Sequence, residues 1–328
     1  MQVFSTSPWV PPEWIRAHGL EPRGVWLAGD SRPLPLAAGV CAFAESVVRL
    51  AETNSGSALI FSTHCDQLRR GFDVVAGGAP GRVFLFNLPA TWQTGVAERI
   101  FASELERLSG FLVALGGQPP TIEGLAENMT RYRLARSQLL EAAAHLPARQ
   151  YGEAIARFHW DGSVNLREGV RAPGTDAIPL ALVGGPLPAW QGHVLDSIES
   201  AGGRVVLNAT EAGERSLGPA FSPEQAPVAA GTLSDLVRLL TRFFLDNCVD
   251  VFQRPNTRLY DWLRERLAVR NVRGIVLCHY VGCDLWRAEA QPLRETFGLP
   301  VLLLDVNEAA GDALRQSGRI QAFLEALR

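Results

Sequence analysis

Cysteines are the residues of this sequence whose types and spacing suggest chemistry. The motif Cys-Asp-x-x-Arg occurs twice, once beginning at Cys65 and once at Cys283, each time directly after a short apolar run that predicts a buried strand. A third cysteine, Cys41, lies at the start of a helical pattern. The chain has only five cysteines in 328 residues, so this recurrence at one kind of strand-to-helix corner favours a shared role. We interpret the three as ligands of one metal centre.

Such corners are suitable places for thiolate ligands. In open α/β sheets, ligands gather outside the carboxyl ends of the strands, and a helix N-terminus favours an anionic sulfur. Three thiolates suit either a zinc ion with one further ligand or a cubane iron–sulfur cluster with one open iron. No Cys-x-x-Cys knuckle is present, and Cys65 lies 24 residues after Cys41 but 218 before Cys283. These separations favour a site assembled between domains.

A structural role for the same residues stays open at this point. Free cysteines are among the most often buried residues, so each of the three could be a packing residue. Asp66 and Asp284 suit the first turn of a helix, where a negative charge is favourable. Arg69 and Arg287, one turn later, are expected to form surface or interdomain ion pairs.

Composition limits the function classes. An apolar content of 47% supports a buried core in about two domains, and a net charge of −3 without runs of like charge argues against nucleic acid as a partner. The sequence shows neither a signal peptide nor a stretch apolar enough for a membrane span. An odd number of widely spaced cysteines argues against a disulfide framework. We expect a cytoplasmic protein in a reducing compartment.

Short β-rich runs alternate with helical patterns, which predicts an α/β fold with mainly parallel sheets. We expect two Rossmann-like parallel-sheet domains joined by a helical connector. Long helices are predicted from Gly95 to Gly116 and from Thr121 to about His145. The predicted strands are Val25–Ala28, Ala58–Phe61, Val83–Phe86, Ile178–Val183, Arg204–Leu207, Ile275–Cys278 and Val301–Leu304.

The domain boundaries follow from turn-rich segments. We predict an N-terminal α/β domain at residues 1–118, the helical connector at 119–175 and a C-terminal α/β domain at 176–328. Residues 172–177 are the expected hinge, and residues 211–232, rich in Gly, Pro, Ala and Ser, are expected to form a loop. The shared cysteine corner hints that the two α/β units are related.

Along nearly its whole length the sequence resembles subunits of the 2-hydroxyacyl-CoA dehydratase and benzoyl-CoA reductase family, of the 2-hydroxyglutaryl-CoA dehydratase D-component kind. Cys41 in Val-Cys-Ala-Phe-Ala, Cys65 in Ser-Thr-His-Cys-Asp and Cys283 in Gly-Cys-Asp resemble the three cluster cysteines of that family, in order. Other matching segments are Pro12–Pro22, Leu88-Pro89, Glu104–Leu108, Gly116-Gly117, Thr121–Glu123, Val183–Pro188, Ile198–Gly203 and Gly298–Leu302.

The resemblance implies a [4Fe-4S] cluster bound by Cys41, Cys65 and Cys283, in a subunit that pairs with a homologous one. It also implies an ATP-dependent iron–sulfur activator that donates one low-potential electron, and an acyl-CoA substrate. In the dehydratases the electron makes a ketyl radical of the thioester, which expels the 2-hydroxyl group. In the reductases the electron enters an aromatic ring.

Two departures from the family pattern concern catalysis. Ala212 stands where a further cysteine is expected, although not one assigned to the cluster, and the segment before Cys283 is altered. A non-catalytic electron-relay or partner subunit of the same fold is therefore the alternative function. A plain ligand-binding α/β module, with cysteines used only for packing, is the third hypothesis.

Several other residues have structural interpretations. We expect Cys278 to be a buried strand residue and Cys248 to have a structural place or one beside the site. His64 and His279 flank the predicted ligands and could donate hydrogen bonds to sulfur or to a thioester oxygen. Gly184-Gly185-Pro186 lacks the pattern of a phosphate-binding loop, so ATP use is assigned to a partner. Trp92, Trp190 and Trp286 are candidates to line a cleft.

Overall fold

Two parallel β-sheets form the framework of the chain. The structure, a computed structural model, describes residues 1–28, 40–166, 176–219, 231–306 and 312–328. The first sheet has strand order β2-β1-β3-β4 and the second has order β6-β5-β7-β8, all paired in parallel. The strands are β1 (Gln2–Ser5), β2 (Glu21–Gly24), β3 (Ala58–Ser62), β4 (Val83–Phe86), β5 (Ile178–Gly184), β6 (Gly203–Ala209), β7 (Gly274–His279) and β8 (Val301–Asp305).

Helices flank both sheets, which confirms the predicted α/β class with two Rossmann-like units. They are α1 (Pro12–Ala17), α2 (Ala42–Thr53), α3 (Asp66–Gly78), α4 (Gly95–Ala114), α5 (Ile122–Ala142), α6 (Ala148–Asp161), α7 (His193–Ser200), α8 (Leu233–Asn247), α9 (Thr257–Val269), α10 (Asp284–Ala288), α11 (Ala290–Phe297) and α12 (Asp312–Ala326). The two long helices predicted from sequence correspond to α4 and α5. The predicted boundaries of the domains and of the connector stay a prediction.

The central strands β3 and β7 form because their sequences are mainly apolar. All residues of β3 and β7 are buried, as expected for strands covered by helices on both faces. One hydrophobic core contains side chains of both sheets, including Phe4 and Leu59 of the first and Leu180 and Leu182 of the second. The two sheets therefore share packed apolar surface.

The prediction of a strand at Val25–Ala28 was wrong. The strand precedes it, at Glu21–Gly24, and residues 25–27 form a turn. Val25 and Trp26 are apolar because they are buried in the core between the sheets. The strand itself contains Pro22, which has no backbone N–H. An edge strand tolerates proline because the N–H groups on its outer side have no partner in the sheet. The sequence analysis also missed β1.

Two predicted connections fall partly outside the described residues. Of the hinge at 172–177, residues 172–175 lie outside them, and of the loop at 211–232, residues 220–230 do. The described part of that loop contains a short 3-10 turn at Glu214–Ser216, and this turn is buried. It therefore packs inside the molecule.

Candidate active site

All three candidate cysteines occupy the same local position, the residue immediately before a helix. Cys41 precedes α2, Cys65 precedes α3 and Cys283 precedes α10. The Sγ atom of Cys41 accepts a hydrogen bond from the backbone N–H of Ala44, at 3.4 Å. Each thiol thus lies among backbone N–H groups that have no partner within the helix.

The loop before Cys283 is a tight turn. Gly282 has a φ of +86°, a left-handed conformation that favours glycine. The backbone N–H of Cys283 donates to the carbonyl of Tyr280 at 2.9 Å, which closes the turn. The altered sequence before this cysteine therefore still presents Cys283 at the start of a helix.

One cavity of ≈ 300 Å³ brings the three cysteines together. Cys41, Cys65 and Cys283 all line it, with segments that follow the carboxyl ends of β3, β5, β6 and β7. In the second sheet the chain moves to opposite sides of β5, with β6 on one side and β7 on the other, and ligands of open α/β sheets bind at such a point between neighbouring strands. The structure thus juxtaposes thiols that lie far apart in sequence.

Burial dominates the protonation of these thiols. It raises the pKa of Cys41 to about 12, that of Cys65 to about 11 and that of Cys283 to about 12. Backbone N–H groups at the helix starts lower these pKa values but do not outweigh burial. The expected stabilisation of thiolates by the helix N-termini is therefore only a partial effect. A nearby cation, such as iron, would supply the missing stabilisation.

The arrangement of donor atoms bears on which metal centre fits. Among the described residues, no three His, Cys, Asp or Glu side chains are grouped so that they could hold one metal ion. A single zinc ion needs its ligands to converge on one point. A cubane takes each thiolate at a different iron atom, so thiols distributed around a cavity suit it better.

A buried histidine–carboxylate pair forms part of the cavity wall. The Nε2 atom of His64 lies 3.5 Å from Oε1 of Glu211, and its Nδ1 atom lies 2.6 Å from the hydroxyl of Ser62. Burial lowers the pKa of His64, but the negative charge of Glu211 outweighs it and the net pKa is raised. Glu211 and His64 are each 7% exposed and both line the cavity. These groups can hold or exchange a proton beside the thiols.

Arg215 is the main residue that the sequence analysis missed. Its guanidinium is buried and donates to the carbonyls of Gly184, Ala209 and Val249 at 2.6–2.7 Å. The same group forms an ion pair with Asp250 at 2.6 Å. Arg215 thereby joins the ends of β5 and β6 to the segment around Asp250. An arginine inside a loop without periodicity gave no signal for this role.

Arg215 also supports the helix that carries Cys283. Its guanidinium carbon lies 4.7 Å from the ring centroid of Trp286 in α10, and Trp286 lines the cavity. The aromatic face attracts the cation, so the start of α10 is connected to the ends of β5 and β6 through one buried charge.

The glycine pair after β5 is explained by close backbone packing. Gly184 has a φ of +142°, and a Cβ atom there would lie 2.0 Å from the carbonyl oxygen of Cys278. The backbone N–H of Gly185 donates to that same oxygen at 3.3 Å. These contacts give the Gly-Gly sequence a structural reason.

The remaining candidates lie away from the cavity wall or have structural places. His279 is buried, and its Nε2 atom lies 2.8 Å from Asp305. Cys278 is buried in β7, as predicted, and Cys248 is buried at the end of α8. Of the three tryptophans, Trp286 lines this cavity, and Trp92 and Trp190 do not.

The charged residues of the cysteine motif lie on the surface, and the expected ion pair is confirmed for Arg69. Arg69 pairs with Asp66 at 3.3 Å on the exposed face of α3, and Asp284 lies in the first turn of α10. Arg287 is exposed on the same short helix.

Comparison with known proteins decides the family. The sequence matches the family model described as 2-hydroxyglutaryl-CoA dehydratase, D-component, over residues 9–327. The chain belongs to this family. By that membership it is a 2-hydroxyacyl-CoA dehydratase-type component, which confirms the resemblance found in the sequence. A search of curated proteins gave no match.

The D-component match covers all three candidate cysteines and every strand except β1, which precedes the matched residues. Among the described residues, the structure has no helix that is both long and apolar enough to cross a bilayer.

Proposed function

We propose that this protein is the iron–sulfur subunit of a 2-hydroxyacyl-CoA dehydratase, with a [4Fe-4S] cluster bound by Cys41, Cys65 and Cys283. The single observation that carries the proposal is the shared cavity lined by these three helix-capping thiols. The family match supports the dehydratase reaction class over ring reduction. The cubane is favoured over zinc because the three thiols line one cavity, whereas no three described ligands are grouped to hold a single ion.

The chemistry supplied by such a cluster, when bound, is one-electron transfer together with an open iron that can act as a Lewis acid. In the proposed reaction the thioester carbonyl accepts one electron and becomes a ketyl radical anion. The C2–O bond then breaks and hydroxide leaves. Loss of one proton from C3 and return of the electron give the 2-enoyl thioester, so the net change is loss of water.

The residues of the chain have distinct roles in this proposal. Backbone N–H groups at the starts of α2, α3 and α10 stabilise negative charge on sulfur. Trp286 and Phe43 line the cavity with apolar surface and limit access of water. His64 and Glu211 lie where they can donate or accept hydrogen bonds with the substrate.

Two protein partners complete the proposal. A homologous subunit is expected to pair with this one, and an ATP-hydrolysing iron–sulfur activator is expected to deliver the electron. Low-potential clusters of this kind are oxygen-sensitive, so we place the enzyme in a reducing, anaerobic cytoplasm.

Anaerobic purification tests the cluster assignment. We expect about four iron and four sulfide per chain, with the broad visible absorption of a cubane. An iron-free protein with normal folding would contradict the assignment. Turnover of 2-hydroxyacyl-CoA esters with an activator and reductant then tests catalysis. A protein that carries the cluster and converts no ester would instead be the electron-relay subunit.

A further inference from the structure

Charged groups around the cysteine cavity are predominantly acidic. Among the residues that the structure describes, four carboxylates and one arginine line it, together with His64. Asp66 and Asp284 lie at the exposed rim, whereas Glu211 and Asp250 are buried in the wall. Arg70, the lining arginine, is exposed on α3.

The two buried carboxylates differ in how far neighbouring groups compensate their negative charge. Asp250 is paired with Arg215, whose N–H groups already donate to three carbonyls and to this carboxylate. Among the described residues, Glu211 has only the 3.5 Å approach of His64, and its Oε1 atom is buried without a hydrogen-bond partner there. Its charge is close enough to contribute to raising the pKa values of Cys65 and Cys283. Glu211 is therefore an incompletely compensated carboxylate that faces the site.

Apart from the three cysteines, Gln67 and Gly282, the rest of the lining is apolar or aromatic, and the chain contains no lysine. A distal carboxylate on an acyl group would need a cation in the wall, because desolvating an unpaired charge is costly. Arg215 is fully occupied and His64 is directed at Glu211, so Arg70 at the rim is the remaining cation among the described lining residues. The apolar lining residues are Phe43, Leu68, Val251, Tyr280, Leu285 and Trp286.

We infer that this site selects acyl-CoA thioesters whose acyl group is uncharged and apolar, and discriminates against dicarboxylic acyl groups. Glu211 is the residue that rejects a second carboxylate, by like-charge repulsion in a poorly solvated space. The inference rests on the proposed function and specifies the substrate class of the same site. It concerns this cavity and these residues, whatever acyl group other members of the family accept.

Binding of two matched thioesters tests the inference without turnover. Pentanoyl-CoA and glutaryl-CoA share a five-carbon acyl chain, differ in one terminal carboxylate and lack the 2-hydroxyl group. Calorimetry is performed anaerobically on the purified, cluster-containing protein. We expect pentanoyl-CoA to bind at least tenfold more tightly. Equal affinity, or tighter binding of glutaryl-CoA, would overturn the inference and leave the proposed function intact.

Variants locate the source of the discrimination. Glu211→Gln is expected to reduce the affinity ratio at least threefold by improving glutaryl-CoA binding. Asp73→Asn, an exposed carboxylate on the same helix as Arg70, is the matched control and keeps the wild-type ratio. If Arg70→Ala weakens glutaryl-CoA alone, Arg70 recognises the carboxylate and the inference is wrong. If neither thioester binds, the acyl-CoA site is absent from this chain, the inference fails, and the cluster-containing protein is the electron-relay subunit instead of the dehydratase subunit.

Discussion

Cys65 and Cys283 occupy equivalent positions in the two sheets. Each lies between the third strand of its sheet, in chain order, and the helix that follows, and each is the residue before the first residue of that helix. The two sheets also have the same strand order, second-first-third-fourth. The repeated Cys-Asp-x-x-Arg motif thus occupies the same strand-to-helix connection in two sheets of the same topology. Cys41, before α2, has no such counterpart among the five cysteines.

Replacing any one of the three cysteines should cost the cluster. We expect Cys41→Ser, Cys65→Ser and Cys283→Ser each to reduce bound iron and sulfide by more than half, since a cubane with two protein ligands is readily lost. Chemical determination of iron and sulfide after anaerobic purification measures this. Cys278→Ala, buried in the adjacent β7, is the matched control and should retain iron. Unchanged iron in all three serine variants would refute the ligand assignment.

Removing the buried charge of Arg215 should destabilise the fold strongly. Arg215→Met leaves Asp250 buried without its partner and three carbonyls without donors, which costs about 3–5 kcal/mol. Urea unfolding monitored by circular dichroism gives the loss. Arg69→Ala, which breaks an exposed pair with Asp66, should change stability by less than about 1 kcal/mol. Similar losses in both variants would mean that Arg215 is not the connection described.

Glycine has opposite effects at two positions. Gly184→Ala combines a left-handed backbone with a Cβ overlapping the carbonyl of Cys278, so we expect a loss of roughly 2–5 kcal/mol in the free energy of unfolding. Gly110→Ala, inside α4 with nothing near its Cβ position, should gain about 0.5–1 kcal/mol. Thermal denaturation of the two variants makes the comparison. A tolerated Gly184→Ala would contradict the close approach of β5 and β7.

His159 should make stability depend on pH. Burial, followed by the positive charge of Arg136, lowers the pKa of His159 to about 3, below the value of 6.5 for an unfolded chain. Between these pH values the unfolded state binds the proton and the folded state does not, so stability falls as pH decreases below 6.5.

The variant His159→Gln isolates this contribution. When the pH is lowered from 7 to 5, the free energy of unfolding of this variant should fall by roughly 1–2 kcal/mol less than that of the wild type. Urea unfolding at both pH values measures the difference. His145→Gln, at an exposed histidine, is the control and should keep the wild-type profile. A wild-type profile in His159→Gln would show that another group titrates.

The sequence predicted the fold where burial determines residue type. The residues of β3 and β7 are all buried and mainly apolar, so the sequence showed these strands as apolar runs. The edge strand β2, which contains Pro22, was not predicted, since its sequence lacks the apolar run of a central strand. The corners at Cys65 and Cys283 were predictable because strand and helix patterns meet there.

Other parts of the site depend on tertiary contacts that no local pattern encodes. Arg215 stands in a segment rich in small residues and reaches four acceptors that come from three separate parts of the chain. The pairing of His64 with Glu211 joins the two sheets in the same way. Such contacts become visible only when both sheets are placed together.

The distribution of the thiols between the two ends of the chain sets an order of events during biosynthesis. Cys283 is added 218 residues after Cys65, which at ribosomal speed corresponds to roughly 10–40 s. Under the proposed assignment, Cys41 and Cys65 are already synthesised while Cys283 is not yet translated. Iron insertion must therefore follow synthesis of the second sheet, and a nascent or truncated chain would be unable to mature.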